Sequence, residues 1–142
     1  MSQFVHLHVH SEFSLLDGLC KIPDLVAQAK ALDQPALALT DHGVMYGAMH
    51  FYNECLKQGI KPIIGLEAYV AKNSLHDHQS KLGGDQFHLT LLAQNFQGYQ
   101  NLLKLTSIAH LDGFYYRPRI DLTTLFKYCR VPALISPSIS AK

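Results

Sequence analysis

Residues 4–10, FVHLHVH, alternate around Val5, Leu7 and Val9, a period of two that predicts a strand. Over 22–33 the apolar positions Ile22, Leu25, Val26, Ala29 and Leu32 fall on a helical stripe. Pro23 suits the first turn of that helix and Asp24 its positive end. PALAL at 35–39 is a short apolar run that reads as a buried strand leading into TDHG at 40–43. Met45, Met49, Tyr52 and Leu56 mark a second helix that Gly59 ends. PIIGLEAYV at 62–70 is a third strand, and the polar stretch 72–86, with its glycine pair, is a loop or hairpin connection. FHLTLLA at 87–93 is a fourth strand, and Leu102, Leu103, Thr106 and Ala109 give a third helix closed near Gly113. GFYYRPRID at 113–121 reads as irregular, because Pro118 restrains the residue before it. Leu122, Leu125, Phe126 and Cys129 suggest a short helix, and VPALIS at 131–136 a fifth strand.

Strand–helix alternation of this kind predicts an α/β fold with a mostly parallel sheet, either open or closed into a barrel. In both, chemistry gathers at the C-terminal ends of the strands. The 142 residues make one domain, and 48% hydrophobic with 16% charged residues is a globular balance rather than a disordered or coiled-coil one. Twelve Lys and Arg against eleven Asp and Glu leave +1, so no global basic field holds this segment on nucleic acid. No apolar run is long enough to span a bilayer, and the N-terminus lacks the pattern of a secretory signal. Cys20, Cys55 and Cys129 are widely spaced and odd in number, which points to free thiols. None has ligand spacing, and Cys55 falls on the buried side of its helix.

Histidine changes this picture. There are nine, and His6, His8 and His10 lie among the first ten residues. Two residues apart on a strand, they share one face at a spacing of ~6.6–6.8 Å, so neighbouring imidazoles can converge on one small volume. His8 and His10 are candidates for metal binding or catalysis, and His6 for a solvated strand face. Asp41 and His42 follow one strand, Glu67 lies in or just past another, His88 opens a third, and Asp17 follows the first in LLDG. Each is weak alone, since Asp-His-Gly is usually a turn. Together they are imidazoles and carboxylates from several strand ends, a donor set suited to Zn²⁺, Mn²⁺ or Fe. A pair of such cations generates hydroxide at neutral pH and clamps the oxygens of a phosphate ester, which makes phosphoester hydrolysis the leading reaction class. His76 and His78 read as part of a solvated loop, and His50 and His110 as surface or rim residues on helices. Tyr115, Tyr116, Arg117 and Arg119 could stack bases and contact phosphates, although a connecting loop with snorkelling arginines is the favoured reading.

The stretches HLHVHSEFSLLDG, LALTDHGVMYGAMHFY, GIKPIIGLEAYVA, FHLTLLAQNFQGYQNLLKLTSIAH and GFYYRPRIDLTTL resemble the polymerase-and-histidinol-phosphatase (PHP) domain that opens bacterial DNA polymerase III alpha subunits. The resemblance implies a distorted (β/α)7 barrel, of which residues 1–142 are an N-terminal portion with about five strands. It implies a centre of two or three Zn²⁺ or Mn²⁺ ions on His8, His10, Asp17, His42, Glu67 and His88, with Asp41 and Glu67 as catalytic residues. His42 is favoured over Asp41 as the direct ligand. Where the family often has a cysteine ligand this chain has Ser138, and the family's closing Asp-x-His motif does not occur within the 142 residues.

Palm, fingers and thumb, with their Mg²⁺, are likewise absent from this stretch. The activity implied is DNA-directed DNA synthesis during replication, with the PHP segment either a metal-dependent phosphoesterase and 3′–5′ exonuclease site or a docking platform for a proofreading subunit. The implied partners are DNA, the proofreading epsilon subunit and the sliding clamp, in the cytoplasm and without a membrane. Two alternatives stay open: a stand-alone PHP phosphatase acting on a small phosphate monoester, against which GFYYRPRID speaks, and a metal-free interaction module.

Overall fold

The structure, a computed structural model, describes residues 4–15, 17–78 and 86–129. The expected strand at 131–136 and Ser138 lie outside the described residues. Among the described residues, four helices and five strands follow one another as α1 (Ile22–Ala31), β1 (Ala36–Leu39), α2 (Ala48–Gln58), β2 (Lys61–Ala71), β3 (Gln86–Leu92), α3 (Phe96–Leu111), β4 (Phe114–Tyr115), β5 (Arg117–Ile120) and α4 (Leu122–Tyr128).

The long strand β2 organises the sheet. Its first half pairs in parallel with β1, from Ala36 opposite Lys61 to Leu39 opposite Ile64. Further along the same edge, His42 bridges Glu67, and β5 pairs in parallel at Tyr69 and Val70. The other edge carries β3, antiparallel from Gly65 opposite Leu92 to Ala71 opposite Gln86. The sheet is therefore mixed rather than mostly parallel, because β3 returns antiparallel beside β2.

Side-chain alternation along β2 separates core from site. Leu66, Ala68 and Val70 face a core made with Leu91, Ile120, Leu102, Leu105 and Ala109 of α3, and Leu125 of α4. Glu67 and Tyr69 take the opposite face, because successive strand residues point to opposite sides. A second core lies under α1 and α2, where Ile22, Val26, Ala29, Leu37, Leu39, Phe51, Cys55 and Ile60 pack together.

Four expectations are corrected. Residues 4–10 run beside β1 without forming a regular strand. Ala38 N–H donates to the His6 carbonyl and Thr40 N–H to that of Val9, but Val9 N–H goes to the Thr40 hydroxyl at 3.0 Å, so a side chain interrupts the ladder. The stretch 113–121 is not irregular: β4 and β5 form a tight hairpin with Tyr115 opposite Arg117. On α2 the stripe faces outward. Met49, Tyr52 and Leu56 are exposed, while Ala48, Phe51 and Cys55 are buried, and Gly59 closes the helix at φ 78° as expected. On α3, Leu102 and Ala109 are buried as expected, but Leu105 rather than Leu103 completes the apolar face.

Candidate metal centre

Glu67 is the hub. Its backbone is fixed on both sides, since its N–H donates to the Asp41 carbonyl at 3.1 Å and its own carbonyl accepts from Gly43 N–H at 2.9 Å. Its side chain is buried and meets four imidazoles. Oε2 lies 2.5 Å from His8 Nε2, 3.0 Å from His10 Nε2 and 3.6 Å from His42 Nδ1, and Oε1 lies 2.5 Å from His88 Nδ1. His88 sits directly opposite Tyr69 on β3, and so on the same face of the sheet as Glu67. His8 and His10 bring their Nε2 atoms within 3.1 Å of each other, the His10 ring stacks on His42 with centroids 4.1 Å apart, and His42 meets His88 edge-on at 5.3 Å.

Two ligand groups emerge around one carboxylate: His8, His10 and Glu67, and His42, Glu67 and His88, each with ligand atoms within 4.8 Å of one another. A carboxylate shared by two such groups is the arrangement that bridges paired cations. The donor set fits a divalent ion on a further ground. Among the described residues His42 Nδ1 is buried with no hydrogen-bond partner and points at the shared centre, a nitrogen lone pair that a cation would satisfy. Its other nitrogen, Nε2, lies 2.9 Å from Asp17 Oδ2. Asp17, much more exposed than Glu67, therefore touches the site through His42 and lies on its outer side. Carboxylates behind ligand histidines fix ring orientation in this way.

Asp41 takes a different position from the ligands. Its buried carboxylate accepts from Ser11 N–H at 2.6 Å, from the Ser11 hydroxyl at 2.8 Å and from the Ser14 hydroxyl at 2.7 Å, so both oxygens are engaged away from the imidazoles. The Ser14 hydroxyl has one proton and gives it to Asp41; towards His42 N–H at 3.1 Å and His10 Nδ1 at 3.2 Å it is an acceptor. His10 Nδ1 therefore carries its proton towards Ser14, leaving Nε2 aimed at Glu67 and His8. The turn that presents both serines requires Gly18, where a Cβ would lie 1.8 Å from the Ser11 carbonyl oxygen. Ser11, Ser14 and Tyr69 had no role in the sequence reading. The only available signal was the spacing of Ser14 four residues after His10.

Charge follows this geometry. Burial works against an ionised Glu67, yet hydrogen bonds from His10, His8 and His88 and the charge of His42 hold its carboxyl well below the usual range. The hydrogen bond to Glu67 raises His10 above the ordinary imidazole value in spite of burial, whereas burial lowers His42 against the pull of Glu67. A cation entering the site must displace the proton that Glu67 helps His10 to keep. Zn²⁺ binding is accordingly expected to release protons, and affinity to weaken as the pH falls through the raised His10 value. Calorimetric titration in buffers of different ionisation enthalpy reads this directly, and binding without proton release would contradict it.

The remaining polar residues divide. Arg119 is neither a snorkelling loop residue nor open to a phosphate: it is buried on β5 and clamps backbone carbonyls, donating from Nε to Gly113, from Nη1 to Asp77 and from Nη2 to Leu75. His110 is not a simple rim residue, because its Nε2 donates to the Gly43 carbonyl at 3.0 Å and ties α3 to the Asp41–His42–Gly43 turn. His6 packs edge-on against Phe4, apart from the cluster.

Among the described residues the sheet thus gathers four imidazoles around one shared carboxylate, a donor set suited to divalent cations. The model of the PHP domain family matches residues 6–141, and the chain belongs to that family. It is similar to DNA polymerase III subunit alpha of Borreliella burgdorferi, 59% identical over 128 residues that cover 89% of this chain and 11% of that protein. The same subunit of Thermus aquaticus is 48% identical over 144 residues, covering 99% and 12%. The chain thus spans about a tenth of the length of the curated relatives it matches. Among solved structures, an amidohydrolase from Chromobacterium violaceum with bound sulfate and no metal superposes with a TM-score of 0.51 at 23% identity, over 73% of this chain and 34% of that one. A Bifidobacterium adolescentis protein classed as a metal-dependent phosphoesterase gives 0.51 at 19% identity, over 78% and 35%. These two show the shared fold. No helix among the described residues is long and apolar enough to cross a membrane.

Proposed function

We propose that residues 1–142 are the N-terminal portion of the PHP domain of a bacterial replicative DNA polymerase alpha subunit, and that the Glu67 cluster is its metal-dependent phosphoesterase centre. The observation that carries the chemistry is the single buried carboxylate shared by two histidine groups. His8, His10, Glu67, His42 and His88 would hold Zn²⁺ or Mn²⁺ as a pair, and Asp17 beside His42 Nε2 would orient that ring. When bound, such ions supply Lewis acidity and lower the pKa of water near a phosphate ester.

The chain's own residues prepare the site. Ser14 sets the His10 tautomer, Asp41 holds Ser11 and Ser14 in place, and Glu67 supplies the negative charge that balances the ions. On this reading Glu67 is catalytic through the centre it bridges, and Asp41 acts by positioning. The reaction is hydrolysis of a phosphodiester at a strand end, a 3′–5′ exonuclease activity. In the whole protein the partners are DNA, the epsilon subunit and the sliding clamp, the compartment is the cytoplasm, and Mg²⁺ serves the polymerase domains.

The test is a side-by-side assay of the full-length polymerase with its polymerase site inactivated. Mn²⁺- or Zn²⁺-dependent release of nucleotides from a 3′ end, lost on chelation, is the expected result. Hydrolysis confined to small phosphate monoesters would transfer the assignment to a phosphatase. Protein that binds neither ion would leave only an interaction module.

A further inference from the structure

Tyr69 is the shared neighbour of the metal centre and of the β4–β5 hairpin. Its ring stacks on His42 with centroids 5.9 Å apart and meets His88 edge-on at 4.8 Å. The Arg117 guanidinium lies over the same ring, 5.5 Å from its centroid. Arg119 is consumed by three carbonyls, but Arg117 is exposed and contacts no carboxylate among the described ion pairs. The hairpin is held firmly against the site: a Cβ on Gly43, which has φ +65°, would lie 2.7 Å from Pro118 Cγ and 3.1 Å from Tyr69 Cε2.

The hairpin tip adds a second observation. Tyr116 occupies it with φ 58°, a conformation in which glycine or asparagine would be less strained, and the residue is 62% exposed. Strain of this kind, held beside a chemical centre, points to a use for the side chain. Tyr115 stands edge-on to Tyr116 at 4.7 Å and stacks on His78 at 4.7 Å, so Tyr116 is backed by an aromatic stack.

We propose that Arg117 and Tyr116 form the seat for single-stranded nucleic acid entering the Glu67 centre, with Arg117 on a backbone phosphate and the Tyr116 ring stacked on a base. The inference rests on the reading of that centre as a phosphoesterase. A small phosphate monoester would use the cation but has no need of an exposed, strained aromatic ring beside it. A strand end uses both, since basic side chains and stacking rings together hold single strands without regard to sequence.

The experiment uses the full chain with a fluorescent single-stranded oligonucleotide, read by anisotropy in chelator and again with Zn²⁺. Arg117→Ala is expected to weaken binding about tenfold, and to lower the slope of log affinity against log salt by about 0.7, the contribution of one phosphate contact on a single strand. Arg117→Lys should recover part of the affinity and all of the slope. Tyr116→Gly relieves the backbone, so it should raise the melting temperature while weakening oligonucleotide binding by about tenfold, an outcome that misfolding cannot imitate.

Zn²⁺ affinity should be unchanged in all three variants. Unchanged oligonucleotide affinity and salt slope in Arg117→Ala, with Zn²⁺ still bound, would overturn the seat and leave the metal centre standing. Loss of Arg117 that weakens competition by a small monoester but not by the oligonucleotide would also overturn it. Wild-type chain that binds no Zn²⁺ would instead remove the reading of the centre on which the proposal rests.

Discussion

Glu67→Gln is expected to lower Zn²⁺ affinity by roughly 100-fold or more, beyond the 10–100-fold that accompanies loss of an outer-shell partner of a metal ligand. The amide keeps the shape of the carboxylate but removes its charge and one acceptor. Whichever way it is turned, its NH₂ group then confronts either the His8 and His10 nitrogens on one side or His88 on the other. Both ligand groups share this one residue, so both should fail together rather than one at a time.

The metal-free variant should still fold. The surrounding imidazoles are partly exposed to water, and the variant no longer buries an ionised carboxylate. Wild-type protein should gain about 2.7 kcal/mol of stability from metal at one hundred times its Kd, and Glu67→Gln under the same conditions should gain almost nothing. Competition with a chromophoric chelator and a pair of melting curves, with and without Zn²⁺, measure both effects. An unchanged affinity would take Glu67 out of the site.

Legibility of the site from sequence depended on whether its geometry is local. The i, i+2 spacing of His8 and His10 survives the loss of the expected strand at 4–10, because extended backbone is enough to set both rings on one side. In GLEAYV the alternation alone separates Leu66, Ala68 and Val70 from Glu67 and Tyr69, and the structure keeps that separation. What was missed depends on distant partners. The carboxylate of Asp41 turns to Ser11 and Ser14, which are 30 and 27 residues away, and no local pattern in TDHG gives its direction.

Helix α2 carries two apolar stripes. Periodicity cannot choose between Met49, Tyr52 and Leu56 and the smaller set of Ala48, Phe51 and Cys55, because the choice is made by the fit against α1 and β1. Pro118 suggested irregular chain, yet β5 pairs with β2 only at Arg119 and Ile120, so the missing proline N–H lies outside that ladder. The same pairing buries Arg119 and leaves Arg117 outside, a division of two neighbouring arginines that composition cannot show.

Asp41→Ala is expected to destabilise the chain by about 3 kcal/mol, since a buried donor left without its acceptor costs about 1–3 kcal/mol. Three donors lose their acceptor: Ser11 N–H, the Ser11 hydroxyl and the Ser14 hydroxyl, in a region where both serines and Asp41 are almost wholly inaccessible. The damage should spread in a defined direction. Without Asp41 to take its proton, the Ser14 hydroxyl can turn and donate to His10 Nδ1, which stabilises the opposite tautomer and places a proton on Nε2, where the metal ligand atom is needed.

Asp41→Asn separates the two effects. Its amide retains one acceptor and nearly the same volume, so stability should fall less than in Asp41→Ala. In the orientation that keeps Ser11 N–H bonded, the same amide oxygen still accepts from the Ser14 hydroxyl and the NH₂ group faces the Ser11 hydroxyl, so His10 keeps its tautomer. A protein that melts a little below wild type yet binds Zn²⁺ with nearly wild-type affinity is therefore the expected result for Asp41→Asn, whereas Asp41→Ala should bind about ten- to a hundredfold more weakly. Nitrogen chemical shifts of His10 in the metal-free protein report the tautomer independently of metal binding. Retention of the Nδ1-protonated form together with full Zn²⁺ affinity in Asp41→Ala would show that Asp41 stabilises the turn carrying Ser11 and Ser14 without orienting the ligand.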